Sequence, residues 1–171
     1  MIRPASLVDL SAIVSLYRQL TEEMAQLAPT IIRPLQQDNR DYFARYIMED
    51  LADVLINVDD SGQINGFALL VAAKTEAAPE VVPHDFAYLI DLVVDPKARH
   101  QGIGTQLLAA VDAWSLAHQL EYVQLNVLPS NQAALSLYQK WGFAPAQVTM
   151  THQLKPAANV HDSDHTDSDS Y

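Results

Sequence analysis

The amino-acid sequence predicts an α/β fold, and three observations support that prediction. An apolar run over 86–94 is followed by the loop 99–104 and then by an amphipathic stretch, which is the order strand, loop, helix. Two further strand-like runs, 54–58 and 64–73, flank a short turn that ends in glycine, as in a hairpin. Near the N-terminus, apolar residues recur at helical spacing over 10–21. Strands and helices therefore share one chain in the manner typical of α/β domains.

Each element follows from a local pattern. The first helix lies behind Asp9, which we expect to be its N-cap, and residues 1–4 form a strand ahead of it. The strand over 86–94 is nearly continuous in apolar residues, as in strands buried on both faces, with Asp91 as its polar exception. Gly142 is expected to end the last helix. The remaining elements are a second helix near 42–51, a helix from 105, a strand over 122–128, a helix over 131–141 and a closing strand over 148–154.

The composition excludes several classes of protein. The chain has 171 residues, enough for one domain with a sizeable core, which we expect over 1–155. A formal net charge of −11 argues against a nucleic-acid partner and is compatible with a cationic substrate. The sequence has no cysteine, which excludes thiolate metal sites and an acyl-cysteine intermediate. The longest apolar run, 66–73, is far shorter than a membrane span, so we expect a cytoplasmic protein with no membrane partner.

The C-terminal segment 156–171 differs from the rest in composition. It is rich in serine, aspartate and histidine and poor in apolar residues, so we expect a flexible acidic tail. His161 and His165 among these aspartates resemble a loose metal tract, but a solvated tail is the preferred interpretation. We therefore expect no metal cofactor.

The loop 99–104, with the sequence RHQGIG, lies where an anion site forms in many proteins. Backbone N–H groups in the first turn of a helix have no partner within the helix, and glycine lets that backbone approach phosphate oxygens closely. The hexapeptide alone is weak support, because glycines after a strand are often plain turn residues. The segments around it make phosphate binding the better interpretation.

Two segments together resemble a known family. The first, YLIDLVVDP over 88–96, leads into the glycine loop, and the second, NQAALSLYQKWGF, covers 131–143. Their order and separation resemble the GNAT superfamily of acetyl-coenzyme A-dependent N-acetyltransferases, from Ile2 to about Leu154. The resemblance implies a mixed, mostly antiparallel sheet of six or seven strands with about four helices. It also implies that the central strands diverge to admit coenzyme A.

The resemblance further implies which residues hold acetyl-coenzyme A. Backbone groups of the Leu92–Val94 strand would pair with the pantetheine arm, and the same backbone can hold the thioester carbonyl. The pyrophosphate would rest on N–H groups of the 100–105 stretch, with a charged contact from Arg99. Asn131 matches a position near the pantetheine or phosphates, and it is also a good helix N-cap. The residues assigned to the cofactor are Leu92, Val93, Val94, Arg99, His100, Gln101, Gly102, Ile103, Gly104, Thr105 and Asn131.

Tyr138 is the candidate catalytic residue. It matches a tyrosine that, in many members of the family, points at the thioester sulfur and returns a proton to it. A phenol with a reference pKa near 10 can protonate a thiolate whose thiol has a pKa near 8.5 only if the two values approach each other. The alternative is a core tyrosine packed beside Trp141 and Phe143.

The general base is not evident from the sequence. Many relatives carry a glutamate on this strand, at positions that correspond to Tyr88 and Ile90 here. Asp91 is the nearest carboxylate, but alternation along a strand predicts that it faces the other side and bonds to a neighbouring turn. A water chain that ends at His84, Asp85 or Tyr88 is one alternative, and an amine with a depressed pKa that needs no dedicated base is another.

The expected function is acetyl transfer from acetyl-coenzyme A to a primary amine in a ternary complex. The acceptor could be a small molecule or a protein amine, because the segments 22–50 and 74–86 that shape its site contain no readable motif. Two alternatives stay open: a non-catalytic coenzyme A-binding or regulatory domain, and acyl transfer to another acceptor. The resemblance also leaves a homodimer open.

Overall fold

The computed structural model describes residues 1–154. The strands are β1 (Ile2–Pro4), β2 (Ala52–Val58), β3 (Ile64–Lys74), β4 (Asp85–Val94) and β5 (Val123–Leu125). The helices are α1 (Leu10–Leu27), α2 (Arg40–Ile47), α3 (Ile103–Ala117) and α4 (Gln132–Trp141). Two 3₁₀ turns, Leu7–Asp9 and Pro96–Ala98, precede α1 and follow β4.

The described strands form one mixed sheet in the order β1-β2-β3-β4-β5. All neighbours pair antiparallel except β4 and β5, which are parallel. The β2–β3 hairpin turns at Gly62, whose φ of 85° suits glycine, and Asp59 Oδ1 accepts from Ser61 N–H and Gln63 N–H at 2.9 Å. The hairpin prediction is thereby confirmed.

Helices cover both faces of the sheet. One face packs α1 and α2 around a core that contains Ile13, Leu16, Phe43, Phe67 and Leu69. The other face packs α3, with α4 beside it, around a second core. That second core contains Leu55, Ala68, Leu70, Leu89, Ile103, Leu107, Leu108 and Val111. Strands β2, β3 and β4 carry side chains into both cores, in agreement with their interior places in the sheet, and the nearly continuous apolar sequence of β4 predicted its burial on both faces.

Five strands occur in residues 1–154, fewer than the predicted six or seven. The predicted closing strand over 148–154 is not a strand, because it pairs with no neighbour in the described part of the chain, and Val148, Met150 and Leu154 are exposed. The strand predicted over 122–128 shortens to Val123–Leu125. The tail predicted for 156–171 lies outside the described residues.

The N-terminal end of α1 also differs from expectation. Asp9 belongs to the 3₁₀ turn that precedes α1 and makes no side-chain cap to the helix. Its carboxylate accepts from both Arg3 Nη atoms at 2.9 Å and from Ser6 N–H at 2.8 Å. The Arg3 hydrogen bonds are the largest influence that lowers the pKa of Asp9, to about 2. Asp9 therefore occupies the predicted N-cap position of α1, but its carboxylate ties β1 to the turn and does not bond to the helix amides.

A β-bulge interrupts the pairing of β3 with β4. Leu69 lies opposite Asp91 and Leu70 opposite Leu89, so Ile90 is the extra residue. Directly opposed residues share a face, and Leu69 belongs to the core under α1 and α2. Ile90 packs against that same core. The bulge therefore places Ile90 and Asp91 on one face, and the prediction that they face opposite sides is wrong.

Candidate active site

The strand β5 runs beside only part of β4. Their parallel ladder runs from Ala87 opposite Val123 to Leu89 opposite Leu125. β5 ends there, whereas β4 continues to Val94. The edge of β4 beyond Leu89 is therefore unpaired towards β5, and a cleft of about 620 Å³ lies against it. β4 and β5 therefore diverge, as the family resemblance implies, although β5 is the edge strand of the described sheet.

The backbone of β4 presents hydrogen-bonding groups to the cleft. The Asp95 N–H donates to the Asn65 carbonyl on the β3 side at 2.9 Å. Every peptide bond in residues 1–154 is trans, so the Val94 carbonyl of the same peptide unit points away from β3 and into the cleft. Strand geometry repeats every two residues, so the backbone groups of Leu92 face the cleft as well.

The loop after β4 leads into α3 through two residues with left-handed backbone. The φ angle is 63° at His100 and 79° at Gly102. The first hydrogen bond of α3 runs from Gln106 N–H to the Gly102 carbonyl at 3.0 Å, so the amides of 103–105 have no acceptor within the helix. No acidic residue occupies this first turn. The free N–H groups and the helix dipole favour an anion at this end of the cleft.

Gly104 has a packing role in addition to its place in the loop. A Cβ at this position would lie 3.0 Å from Leu137 Cδ2 on α4, which is tighter than ordinary van der Waals contact. Glycine therefore lets α3 approach α4 closely. The sequence offered no sign of this contact, because it joins residues from separate elements.

The cleft brings together most of the residues that the sequence assigned to it. Gln101 is the exception, since it is exposed in the loop and does not line the cleft. The assigned residues that line it are Leu92, Val93, Val94, Arg99, His100, Gly102, Ile103, Gly104, Thr105, Asn131 and Tyr138.

Other lining residues escaped the sequence analysis. From α1 these are Leu20, Glu23, Met24 and Leu27, and from the α4 region Ser130, Gln132, Ala133, Ala134 and Leu137. Glu23, Met24 and Leu27 were missed because the helix continues to Leu27, beyond the predicted end at 21, whereas Leu20 lies within the predicted helix and reaches the cleft only through the packing of α1 on the sheet. Leu20, Met24 and Leu27 recur at helical spacing, and this pattern could have predicted that α1 extends to Leu27.

Arg99 crosses the cleft between β4 and α1. Its Nε donates to the Val94 carbonyl at 3.1 Å, and its Nη2 donates to both carboxylate oxygens of Glu23 at 2.8 Å. The two side chains keep 41% and 34% of their surface exposed, so solvent screens the pair. The cleft wall thus carries one cation and one anion in direct contact.

Asn131 caps α4, as one of its two sequence interpretations predicts. Its side-chain oxygen accepts from Ala134 N–H at 3.1 Å. Its Nδ2 lies 3.7 Å from Met24 Sδ, which links α4 to α1 across the cleft. The cap interpretation is confirmed, and the contact with the cofactor stays a prediction.

Tyr138 lines the cleft from α4 and packs edge-on against Phe143, with ring centroids 5.6 Å apart. Burial raises the pKa of Tyr138 to about 12, and the charge of Asp91 contributes in the same direction. The phenol is therefore protonated at neutral pH. The pKa of Tyr138 is therefore further above a thiol pKa near 8.5 than the pKa of a free tyrosine is. Tyr138 is thus better suited to donate a hydrogen bond to sulfur than to transfer its proton completely.

Asp91 is an unusual carboxylate. Its Oδ2 is buried and has no hydrogen-bond partner in the described part of the chain, so it does not bond to a turn as the sequence analysis expected. Burial raises the pKa of Asp91 from 3.8 to about 6. A buried polar atom without a partner is costly, and such atoms often belong to functional sites.

The other residues considered as a base have partners elsewhere. His84 Nδ1 lies 2.7 Å from Glu121 Oε2, and Asp85 pairs with Lys74 at 3.1 Å. The Tyr88 hydroxyl accepts from Asn126 Nδ2 at 2.8 Å. None of the three lines the cleft.

A family comparison identifies the protein class. A sequence profile described as the acetyltransferase (GNAT) family matches residues 14–143. The chain belongs to the GNAT acetyltransferase family. The matched range contains the cleft, the glycine loop and the α4 segment, which is where the sequence resemblance was strongest.

Two curated relatives of this GNAT chain are named mycothiol acetyltransferases. The mycothiol acetyltransferase of Salinispora arenicola is 32% identical over 105 residues, which is 61% of this chain and 33% of that protein. A second mycothiol acetyltransferase, from Salinispora tropica, is 35% identical over 106 residues. The chain spans about a third of the length of these curated relatives.

Solved structures share its fold. The tetramutant of the BH1408 protein from Bacillus halodurans superposes with a TM-score of 0.85 at 26% identity, covering 90% of this chain and 99% of that one. The aminoglycoside N-acetyltransferase AAC(6')-Iy in complex with CoA gives a TM-score of 0.67 at 19% identity, covering 91% and 99%. The latter likeness concerns the fold alone.

Two kinds of feature are absent from residues 1–154. Within 1–154, no group of three or more His, Cys, Asp or Glu side chains is placed to hold a metal ion. In the same range, no helix has the length and apolar character that a membrane span requires.

Proposed function

We propose that this GNAT chain transfers an acetyl group from acetyl-coenzyme A to a primary amine by direct attack in a ternary complex. The observation that carries the proposal is the cleft beside β4, where the strand backbone has no neighbouring strand and the amides of 103–105 have no acceptor within the helix. An extended, amide-containing arm with a phosphate end fits such a cleft.

The donor would be held mainly by backbone groups. Leu92 and Val94 offer backbone hydrogen bonds to the pantetheine arm, and the α3 amides offer N–H donors to the pyrophosphate. Arg99 adds positive charge at the cleft wall, where Glu23 now holds it. Coenzyme A in the structural neighbour AAC(6')-Iy supports the choice of ligand.

Tyr138 would stabilise the leaving group. Its phenol is protonated at neutral pH, as an ordinary tyrosine is, and burial, which raises its pKa to about 12, strengthens that preference. A hydrogen bond to sulfur strengthens as negative charge develops there, which lowers the barrier to breakage of the carbon–sulfur bond. The absence of cysteine supports direct attack by the amine over an acyl-cysteine intermediate.

A primary amine is the proposed acceptor. The name of the structural neighbour AAC(6')-Iy, an aminoglycoside N-acetyltransferase, specifies transfer to nitrogen, and the net charge of −11 favours a cation over an anion. The non-catalytic alternative predicts binding of acetyl-coenzyme A without turnover.

Turnover of acetyl-coenzyme A with a broad panel of primary amines tests the proposal. Both thiol release and the N-acetylated product should be followed, with alcohols of matched shape as controls. We expect amine-dependent thiol release with stoichiometric amide. Binding of acetyl-coenzyme A without amine-dependent release would support the non-catalytic alternative, and acetylation of the alcohols would indicate a different acceptor class.

A further inference from the structure

The two halves of α1 are held in the structure by different kinds of contact. The buried residues of α1 are Ile13, Val14 and Leu16, all in its first half, and Leu20 is the last of its residues to pack against the core beneath it. From 21 to 27 every side chain is half-buried or exposed. A segment with few buried apolar contacts opens locally at a low cost in free energy. We call residues 21–27 the α1 strap.

The α1 strap reaches one wall of the cleft through Arg99. The guanidinium donates from Nη2 to both carboxylate oxygens of Glu23 at 2.8 Å and from Nε to the Val94 carbonyl at 3.1 Å. That carbonyl is one of the backbone groups that β4 presents to the cleft, and the α3 amides lie at the same end. A ligand that lies on the α3 amides and bonds to Val94 therefore competes with Arg99 in its present position.

The same strap reaches the opposite wall at the start of α4. Met24 Sδ lies 3.7 Å from Asn131 Nδ2, and the Leu27 carbonyl accepts from Ser130 Oγ at 3.4 Å. Both contacts are at the long end of the range for hydrogen bonds and are weak. The strap thus bridges the cleft between the loop after β4 and α4, and the contacts that hold it there are weak or screened by solvent.

We propose that the α1 strap closes the cofactor cleft in the ligand-free protein, and that coenzyme A binds only after the strap has released α4 and Arg99. On release, Arg99 exchanges the Glu23 carboxylate for a phosphate of the ligand, and both partners form charge-assisted hydrogen bonds with it. The affinity of the protein for coenzyme A is then reduced by the small fraction of molecules in which the strap is open. This inference rests on the proposed function, because it assigns the gate of that same cleft.

A reversible cross-link between the strap and α4 tests the inference. The chain has no cysteine, so Leu27→Cys with Ser130→Cys supplies the only two thiols, at a contact that already exists. We expect the oxidised form to bind coenzyme A about a hundredfold or more weakly than the reduced form of the same protein. Comparing two redox states of one variant cancels the effect of the substitutions themselves. Mass spectrometry confirms the disulfide, and titration calorimetry gives the two Kd values.

Equal affinity of the oxidised and reduced forms would overturn the strap and leave the proposed function intact. The matched control is Thr75→Cys with Val82→Cys, because Thr75 Oγ1 donates to the Val82 carbonyl at 3.2 Å in the same kind of hydroxyl–carbonyl contact. Neither residue lines the cleft, so oxidation of this pair should leave the Kd unchanged. An equal loss in the control would mean that a cross-link at any place weakens binding, and it would overturn the assignment to the strap.

A second test needs no cofactor. Ala134→Cys places a single thiol at a half-buried position that lines the cleft. A small methanethiosulfonate reagent should modify this thiol about threefold or more faster when Glu23→Gln releases Arg99 from the strap. Glu22→Gln, outside the cleft, should leave the rate unchanged. Equal rates with and without Glu23→Gln would overturn the inference.

Failure of the proposed function has a different signature. A wild-type protein that does not bind coenzyme A would contradict the proposed donor, whereas the rates of thiol modification would still show whether the strap opens. Faster modification in Glu23→Gln together with loss of coenzyme A binding in the oxidised pair is the result that supports the strap.

Discussion

Arg99 and Glu23 lie 76 positions apart in sequence and form an ion pair at 2.8 Å inside the cleft. A phosphate group and the Glu23 carboxylate are alternative partners for the same guanidinium. Breaking the ion pair should therefore change the affinity for the cofactor.

Replacing Glu23 should tighten cofactor binding. Glu23→Gln frees Arg99 and removes a negative charge from a cleft proposed for an anionic ligand, so we expect the Kd for coenzyme A to fall about three- to tenfold. Arg99→Gln should raise it by a similar factor. Glu22→Gln changes a neighbouring exposed glutamate that does not line the cleft, and it should have no effect. Isothermal titration calorimetry with coenzyme A measures the Kd of all three variants. Weaker binding by Glu23→Gln would contradict the proposal that Glu23 and the phosphate compete for Arg99.

Gly104 should resist substitution for two reasons. A Cβ would meet Leu137 at 3.0 Å, so Gly104→Val should lower the free energy of unfolding by about 1 to 3 kcal/mol through overpacking. It should also reduce the rise in Tm that coenzyme A produces, because α3 shifts at its N-terminus. Ala109→Val tests valine at an exposed position of the same helix. Thermal melts with and without coenzyme A distinguish the two variants, and an unaltered ligand shift in Gly104→Val would argue against phosphate binding at this turn.

Asp91→Asn should stabilise the fold at neutral pH. A pKa raised from 3.8 to about 6 means that the folded state holds this proton more tightly than the unfolded state does. Asp91 therefore destabilises the fold least below about pH 4, where it is protonated in both states. Its destabilising effect grows as the pH rises towards about 6 and stays at its full size above that. We expect Asn to add on the order of 1 to 3 kcal/mol at about pH 8 and nearly nothing at about pH 4. Urea unfolding at both pH values checks this, and destabilisation at pH 8 would show that the carboxylate has a stabilising partner.

Much of the fold was predictable from local sequence. The hairpin turn, the continuous apolar run of β4 and the helix stop at Gly142 each depend on neighbouring residues, and the structure has all three. Gly142 adopts a φ of 111° and donates its N–H to the Tyr138 carbonyl at 3.1 Å. Such features are encoded within a few positions of the chain.

The site was less predictable because its key features depend on distant residues. The bulge at Ile90 depends on the register with β3, which no pattern within β4 determines, and strand alternation therefore misplaced Asp91. The role of Glu23 required both the true length of α1 and its approach to Arg99. The segment 148–154 alternates apolar residues like a strand, but without a partner among residues 1–154 that pattern is not sufficient.

The most direct test of acetyl transfer in this cleft is kcat for Tyr138→Phe at saturating acetyl-coenzyme A, measured beside its cofactor affinity. The change keeps the ring that packs on Phe143 and removes only the hydroxyl proposed to face sulfur. Tyr122→Phe makes the same chemical change at an exposed tyrosine outside the cleft and serves as the control. We expect Tyr138→Phe to lower kcat by about a hundredfold with an unchanged Kd, and Tyr122→Phe to alter neither. A Tyr138→Phe enzyme with wild-type kcat and normal affinity would contradict a role for Tyr138 in the reaction.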